Sequence, residues 1–478
     1  MPLPVPPAVE SGVLRTLAGV LRRDGLTEQT YRTGFETLPG GPDRARLPLI
    51  GARLAALGPA GCLTALLAFG IEQDAAALPD GARDALLAAG FAVVTHARVR
   101  APWRLTPLAG LLVLSDHASD DQDRVMTPGV TTTDLAWALP RPPGRRVLDV
   151  GTGSGVLALL AAAQGASSVA TDVSSRACTF AGLSADFNDL SLDVRTGSLL
   201  EPVAGERFDL VVSQPPFIPR PDDVPMATWL HAGSAGDELA LALLRGLPDV
   251  LAPGGRAVLR VDLLPERATA LAVQERAGLQ GLDVVVVSWP GATGQQLAYA
   301  YAGVEDPRFG ERYEAAAAAY LRHLERTGVE RVRSTLLLVR RRAGGKPAVG
   351  DLETNAALQW EQIMERTASL VLAEEGDAVL LRARVGAPGG ARVSFEQDLT
   401  GELEVAHVLR YPAGSALADA VLDEETALLL QLAAGGRPVA ALVAGFAEQL
   451  GRPIEEVAAP ALTRLRAALR RGHLLPRD

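Results

Sequence analysis

Cysteine is almost missing: Cys62 and Cys178 are the only two in 478 residues. A disulfide framework is thereby excluded, and neither residue has a second Cys or a His at metal-ligand spacing, so no zinc-type site is read from them. A reducing, cytoplasmic setting is expected. Lysine is scarcer still, with Lys346 alone beside many arginines; this compositional bias carries no mechanism. Apolar runs of the roughly 20 residues that span a bilayer are absent, and the opening MPLPVPPAVESG has neither the basic stretch nor the apolar core of a secretion signal. Neither membrane insertion nor export is expected. Excess positive charge is wanting too, since the formal net charge is -10. That argues against a general polyanion-binding surface and leaves room for a local basic patch.

What the chain has is length and apolar content. With 478 residues, 48% of them hydrophobic, it exceeds one core, so two to four domains are expected. We divide it at residues 1–115, 116–345 and 352–478, with RRRAGGKPAVGD (340–351) as the last linker. In the first part, Val13, Leu14, Leu17, Val20 and Leu21 share one face of a helix that Ser11 would cap and Gly25 would end. Further helical patterns lie near 48–58, 61–71 and 80–89, before the strand-like FAVVTHARV and LAGLLVLSD. Helices followed by a β-hairpin suggest either a winged-helix-like module or a structural cap. The last part also resembles a winged helix. Strand-like DAVLLRARV and ARVSFEQDL precede three helices: one capped by Asp423 and ended by Gly435, one at VAALVAGFAEQLG, and one burying Leu462, Leu465 and Leu469. Arg464, Arg466, Arg470 and Arg471 on that third helix suit either a phosphate-binding face or the preference of a helix C-terminus for basic residues.

From about residue 145 strands and helices alternate. RRVLDV, SSVATDV and FDLVVS read as short apolar strands, with GVLALLAAAQG as a helix between the first two, and RAVLRVDL, LDVVVVSW and STLLLVRR continue the series. The spacing predicts an α/β fold with a parallel, doubly wound sheet. Between the last two strands lies a long connection, with a helix expected from Arg308 to Arg326 that places Phe309, Tyr313, Ala316, Tyr320 and Leu324 on one face. Long connections of this kind often carry substrate contacts.

VLDVGTGSG (147–155) sets three glycines between a strand and a helix. Glycine there permits positive φ and lets a ligand approach the backbone, while N–H groups at the helix start point toward it. A nucleotide-like cofactor is implied. Dinucleotide binding requires G-x-G-x-x-G, and the glycines here are Gly151, Gly153 and Gly155, with Val156 where the third should stand. The spacing instead resembles that of class I S-adenosylmethionine-dependent methyltransferases, with Asp149 ending the first strand and Asp172 ending the second. The resemblance implies a Rossmann-like fold, S-adenosyl-L-methionine as cofactor, and donor contacts from Asp149, Gly151, Thr152, Gly153, Gly155, Asp172 and Val173. It also implies adenine contacts from Ser198 and Leu199, although members often carry Asp at the Ser198 position. Asp172 would accept from both ribose hydroxyls, each bond contributing about 1.5–3 kcal/mol because the acceptor is charged.

FDLVVSQPPFIPR (208–220) ends an apolar strand in an amide, two prolines and an aromatic ring. It resembles the Asn/Asp/Ser-Pro-Pro-Tyr/Phe motif of the methyltransferases that modify planar nitrogens, among them release-factor glutamine and ribosomal RNA guanine-N2 enzymes. Such a nitrogen is a poor nucleophile because its lone pair is delocalised, so acceptors must hold its hydrogens as positive charge develops. By the resemblance, the Gln214 amide oxygen and the Pro215 carbonyl do so, each contact being worth about 2.7–4 kcal/mol by analogy with oxyanion donors. Pro215 and Pro216 fix the backbone carbonyls, and Phe217 offers a stacking face. The departure is Gln214 itself, one methylene longer than Asn. DRVMTPGVTTTDLAWAL resembles the segment folding over donor and substrate, with Met126 to Thr133 as its contacting loop, and Asp237 reads as an N-cap. His117 and His231 flank the site as candidate bases, which a neutral nitrogen does not require before transfer.

Three functions stay open: N-methylation of RNA or DNA gripped by the flanking domains, methylation of a release-factor glutamine, and an inactive donor-binding scaffold. Glutamine methyltransferases usually end at the catalytic domain, so the extra C-terminal unit favours nucleic acid as the partner.

Overall fold

The computed structural model describes residues 3–38, 46–119, 121–141, 144–306, 309–342, 347–354, 358–397, 405–412, 415, 417 and 419–477. Lys346, Arg308 and the end of ARVSFEQDL lie outside them. The chain forms two compact units. One comprises Met1–Ala136, Arg141–Ala252 and Gln295–Gly328, and the other Trp137–Pro140, Pro253–Gly294 and Val329–Asp478.

The first unit opens with the helices Ser11–Arg23, Leu47–Ala55, Pro59–Phe69 and Asp80–Ala88, with a short one at Glu28–Thr33. Ser11 is not a cap as expected: Glu10 holds the N-cap position without a side-chain bond, and Ser11 is already helical. FAVVTHARV is two strands rather than one, Val93–Thr95 and Arg98–Arg100, reversing at His96 and Ala97 with φ of 49° and 64°. A non-glycine turn of this hand has no residue signature, which is why the sequence reads as continuous. A second hairpin pairs Trp103–Leu108 with Leu111–Asp116. Leu14, Leu17 and Leu21 share one core with Leu63, Leu66, Phe91, Trp103 and, from the helix Ser175–Phe187, Phe180 and Phe187. The N-terminal helices thus bury their apolar faces against a helix of the α/β layer, so removing either would expose the other.

Four parallel strands carry that layer, in spatial order Phe208–Ser213, Arg146–Val150, Ser167–Asp172 and Asp193–Thr196. The chain leaves Arg146–Val150 toward one edge and later returns on its other side, which makes a topological switch point and opens a crevice at the strands' C-terminal ends. The register sets Val150 opposite Ser213 and Asp172 opposite Thr196. Both sequence motifs therefore emerge at that one end.

The second unit holds the strands Leu251–Leu263, Asp283–Thr293, Arg331–Arg340 and Val349–Glu353. Arg331–Arg340 runs antiparallel to both Leu251–Leu263 and Asp283–Thr293, against the all-parallel expectation. A strand buried on both faces reads as an apolar run in either direction, so the pattern holds no sign of it. The stretch 340–351, expected as linker, feeds the strand Val349–Glu353, which pairs in parallel with Asp283–Thr293. DAVLLRARV, expected as a strand, is the helix Asp377–Arg382 followed by the short strand Arg384–Gly386. Before it lies the helix Trp360–Glu374, closed by a Gln359 and Gln362 capping box. Asp423 does cap its helix, accepting from Thr426 N at 2.9 Å, and Leu462, Leu465 and Leu469 are buried with Phe446 and Leu430.

Candidate active site

Gly151, Gly153 and Gly155 have φ of 70°, 53° and 86°. All three need the left-handed region, but not for the same surroundings. A Cβ at Gly151 or Gly153 would meet nothing within 4 Å, so these two leave open space above the backbone. A Cβ at Gly155 would lie 3.0 Å from Ala181, so that glycine permits close packing of two helices. Gly151 and Thr152 donate their N–H groups to Thr171 O, pinning the loop to the next strand.

Asp172 stands beside that open space. Its Oδ2 accepts from Gly153 N and its Oδ1 from Ser174 N, both at 2.9 Å. Burial raises its pKa, while backbone bonds from Ser174, Gly153 and Val173 oppose the rise. A carboxylate offers about four acceptor sites, so capacity remains beside these backbone bonds for a ribose hydroxyl. Ser174 caps the following helix through Ala177 N and donates to Asp123. Val173, between them, is 59% exposed.

Asp149 is buried at the start of the loop. Its Oδ2 accepts from Thr152 Oγ and from Ala158 N, at 2.7 and 3.1 Å, whereas Oδ1 is buried with no partner. Burial pushes its pKa up to about 7. An orphaned carboxylate oxygen in a glycine cradle calls for a donor group from a ligand, and the amino group of S-adenosylmethionine is of that chemistry. The residues present fit this cofactor. Ser198 is exposed beyond the strand Asp193–Thr196, and Leu199 holds φ at 47°, a strained conformation for a leucine.

Gln214 leaves the strand Phe208–Ser213 half-buried, followed by the buried Pro215 and the half-buried Pro216 and Phe217. Its amide is engaged at both ends: Nε2 donates to Thr131 Oγ at 2.7 Å, and Oε1 accepts from Thr132 Oγ at 2.9 Å. The expected contact loop does reach the motif, but these two side-chain bonds were not foreseen. The run of three β-branched hydroxyl residues opening the helix Val130–Trp137 is the only sequence signal of them. Beyond Phe217 the chain is held by Ile218 N to Leu230 O and Ala232 N to Ile218 O, both at 3.1 Å. Gly236 is obligatory here, because a Cβ would come within 2.7 Å of Phe217 O. Asp237 holds the expected N-cap position, although its side chain makes no cap bond.

Neither histidine is placed to act as a base. His231 is fully buried; its Nδ1 accepts from Ala227 N, and its Nε2 therefore donates to Tyr320 Oη at 2.7 Å. Burial, helped by Arg220, brings its pKa down to about 4. Tyr320 in turn donates to Glu305 at 3.4 Å. This chain ties the motif loop to the helix Glu311–Arg326 and was not read from the sequence. On that helix Ala316, Tyr320 and Leu324 are buried as expected, while Phe309 precedes it and is 59% exposed. His117 spends Nε2 on Ala101 O, and burial lowers its pKa. Among the described residues no group of three or more His, Cys, Asp or Glu could hold a metal ion, and no helix is long and apolar enough to cross a membrane.

The family described as the methyltransferase small domain matches residues 129–258, which span the glycine loop and the Gln214 motif. The release factor glutamine methyltransferase of Deinococcus radiodurans is 39% identical over 148 residues, covering 28% of this chain and 51% of that protein. The enzyme of the same name from Geobacter sulfurreducens is 32% identical over 174 residues, 33% of this chain and 61% of its own length. The chain thus spans little more than half of these relatives. A solved ribosomal protein L11 methylase from Lactobacillus delbrueckii subsp. bulgaricus shares 26% identity over 32% of this chain and 68% of its own, at a TM-score of 0.24. The glycine cradle, the strand order and the matched segment agree in making residues 129–258 similar to the methyltransferase small domain.

Proposed function

We propose that this chain methylates the side-chain amide nitrogen of a glutamine in a protein of the translation machinery, a release factor. One observation carries the reading. Gln214, Pro215, Pro216 and Phe217 leave the strand whose Ser213 is registered against Val150, the residue that feeds the glycine loop, so acceptor motif and donor cradle open at one crevice. Asp172, Asp149 and the open space over Gly151 and Gly153 would hold S-adenosylmethionine, with Thr152, Gly155, Val173, Ser198 and Leu199 completing the cradle. When bound, the donor supplies a methyl carbon on positively charged sulfur, which passes to nitrogen as the carbon–sulfur bond breaks. The chain's part is electrostatic. Gln214 Oε1 and the Pro215 carbonyl would accept the amide hydrogens as charge develops on nitrogen, Phe217 would stack on the amide plane, and the released proton goes to solvent. A buried, neutral His231 whose lone pair is spent on Ala227 N is consistent with a reaction that needs no base.

The choice of glutamine over nucleic acid rests on the named relatives and on the C-terminal arginines. Arg464 pairs with Asp423 and Glu425, and Arg466 with Asp377 and the carbonyls of Ala373 and Glu375. Two of the four arginines that suited a phosphate-binding face are therefore engaged within the chain. The winged-helix-like reading of residues 1–115 and 352–478 around a catalytic 116–345 belongs to this proposal; the last part is supported by helices Glu424–Leu432, Val439–Leu450 and Ile454–Arg470 with the short strand Leu475–Arg477. So does a cytoplasmic setting, supported by the free thiols of Cys62 and Cys178.

The test offers labelled S-adenosylmethionine and the purified chain to an unmodified bacterial release factor, ribosomal RNA, transfer RNA and DNA. Label on the release factor supports the reading. Label on RNA or DNA alone replaces it with the nucleic-acid function, and label on none returns the chain to a donor-binding scaffold.

A further inference from the structure

We propose that Thr131 and Thr132 are positioning residues that fix the Gln214 amide, letting a glutamine act where the resembled motif carries the shorter Asn, Asp or Ser. The proposal rests on the methyltransferase reading above. A glutamine has one more rotatable bond than an asparagine, so left alone its amide would sample more positions and lose more freedom on meeting an acceptor. Here the amide is held from both ends by two hydroxyls of one helical turn.

The backbone engages one of the two hydroxyls as well. Gly129 N–H can only donate, and it donates to Thr132 Oγ at 3.4 Å. Thr132 Oγ takes that bond on one lone pair and keeps its own hydrogen, which it gives to Gln214 Oε1 at 2.9 Å. Nε2 then faces Thr131 Oγ, the arrangement observed. Thr133 takes no part, since its hydroxyl donates to Gly129 O at 3.2 Å.

Holding the amide does not exhaust it. An amide oxygen accepts two bonds and an amide nitrogen donates two. Each is used once by a threonine, so one lone pair on Oε1 remains for a hydrogen on the acceptor nitrogen. The Thr132 bond also polarises the amide, which strengthens a second bond to the same group. The side chain is therefore oriented before the acceptor arrives, the condition under which an electrostatic contact contributes most to turnover. Asn at 214 would be withdrawn by about one carbon–carbon bond, roughly 1.5 Å, too far to keep both threonine bonds at their present lengths.

The experiment compares wild type with Thr131→Val, Thr132→Val and the double variant, using an unmodified bacterial release factor as acceptor. Valine keeps the β-branch and removes the hydroxyl. Each single change is expected to lower kcat about tenfold, the loss of one hydrogen bond, and the double change about 10²-fold, with KM for the release factor and Kd for S-adenosylhomocysteine within about twofold of wild type. Ser at either position should restore most of kcat, which a purely structural role of the branched side chain would not allow. If the double variant does not fold, Thr132→Ala carries the same tenfold expectation. A folded, donor-binding Thr131→Val/Thr132→Val protein turning over at the wild-type rate overturns the proposal alone. A wild-type chain that transfers no methyl group to the release factor overturns the functional reading and this proposal together.

Discussion

On the proposed reading the crevice has a donor half and an acceptor half, and the two are built from different materials. The donor half is mainly backbone: three glycines at positive φ, N–H groups turned onto Asp172, and one orphaned oxygen on Asp149. The acceptor half is mainly side chains brought from far along the sequence, with Thr131 and Thr132 on Gln214 and Tyr320 on His231. A cradle made of backbone tolerates few sequences and so announces itself. A clamp made of side chains can be assembled from almost any hydroxyl that the fold delivers.

The largest effect should fall on turnover in the acceptor half. Gln214→Ala is expected to lower kcat about 10²–10³-fold while leaving donor affinity nearly intact, because the lost contact strengthens only as charge develops on nitrogen. Single-turnover rates with donor Kd measured on the same sample check this, and an Ala variant that loses donor binding in step with rate would erase the division between the halves. Next in size is Asp172→Ala, expected to weaken donor binding by about 1.5–3 kcal/mol with the turnover of donor-saturated enzyme less affected. Calorimetry with S-adenosylhomocysteine reads it, and unchanged affinity in a folded variant would take Asp172 out of the cradle.

Smaller effects distinguish the halves by pH. Asp149 has its pKa raised by burial to about 7. Between its unfolded value near 4 and pH 7, the ligand-free folded state binds the extra proton, so this group's contribution to stability is complete below about pH 4 and is lost as pH rises. His231 has its pKa depressed to about 4. Between there and its unfolded value near 6.5 the unfolded state binds the extra proton, so its contribution is present above about pH 6.5 and is lost as pH falls. The two slopes oppose each other, each at most about 1.4 kcal/mol per pH unit. Urea unfolding from pH 4 to 7 should therefore show a steeper rise of stability with pH for Asp149→Asn than for wild type, and a steeper fall for His231→Gln. Parallel curves for all three proteins would mean that neither group is titrated as its surroundings dictate.

The same contrast governs what could be read from the sequence. The glycine spacing was legible because it follows from a backbone conformation that few residues allow, and Asp149, Asp172 and the strand order around them were legible through the resemblance to class I methyltransferases. The QPPF motif was legible in position, since two prolines cannot continue a strand. Its partners were not. Thr131 and Thr132 lie more than 80 residues from Gln214, and hydroxyls at a helix start are ordinary capping residues. The buried His231 and Tyr320 pair across 89 residues, with no local pattern to mark it. Direction was equally hidden in the second unit, where Arg331–Arg340 runs antiparallel. There an apolar run fixes burial but not polarity. The linker reading failed for a related reason, because glycines and arginines over 340–351 mask the short strand that begins at Val349.

Methylation of a glutamine amide in this crevice is read most directly from the position of the methyl group. An unmodified bacterial release factor, incubated with the chain and S-adenosylmethionine, is digested and its peptides are fragmented in a mass spectrometer. The account predicts a single methyl group on a glutamine side chain, formed by the wild-type chain and reduced about 10²–10³-fold with Gln214→Ala. A methyl group on any other residue type, or an unmodified release factor beside methylated RNA, would contradict it.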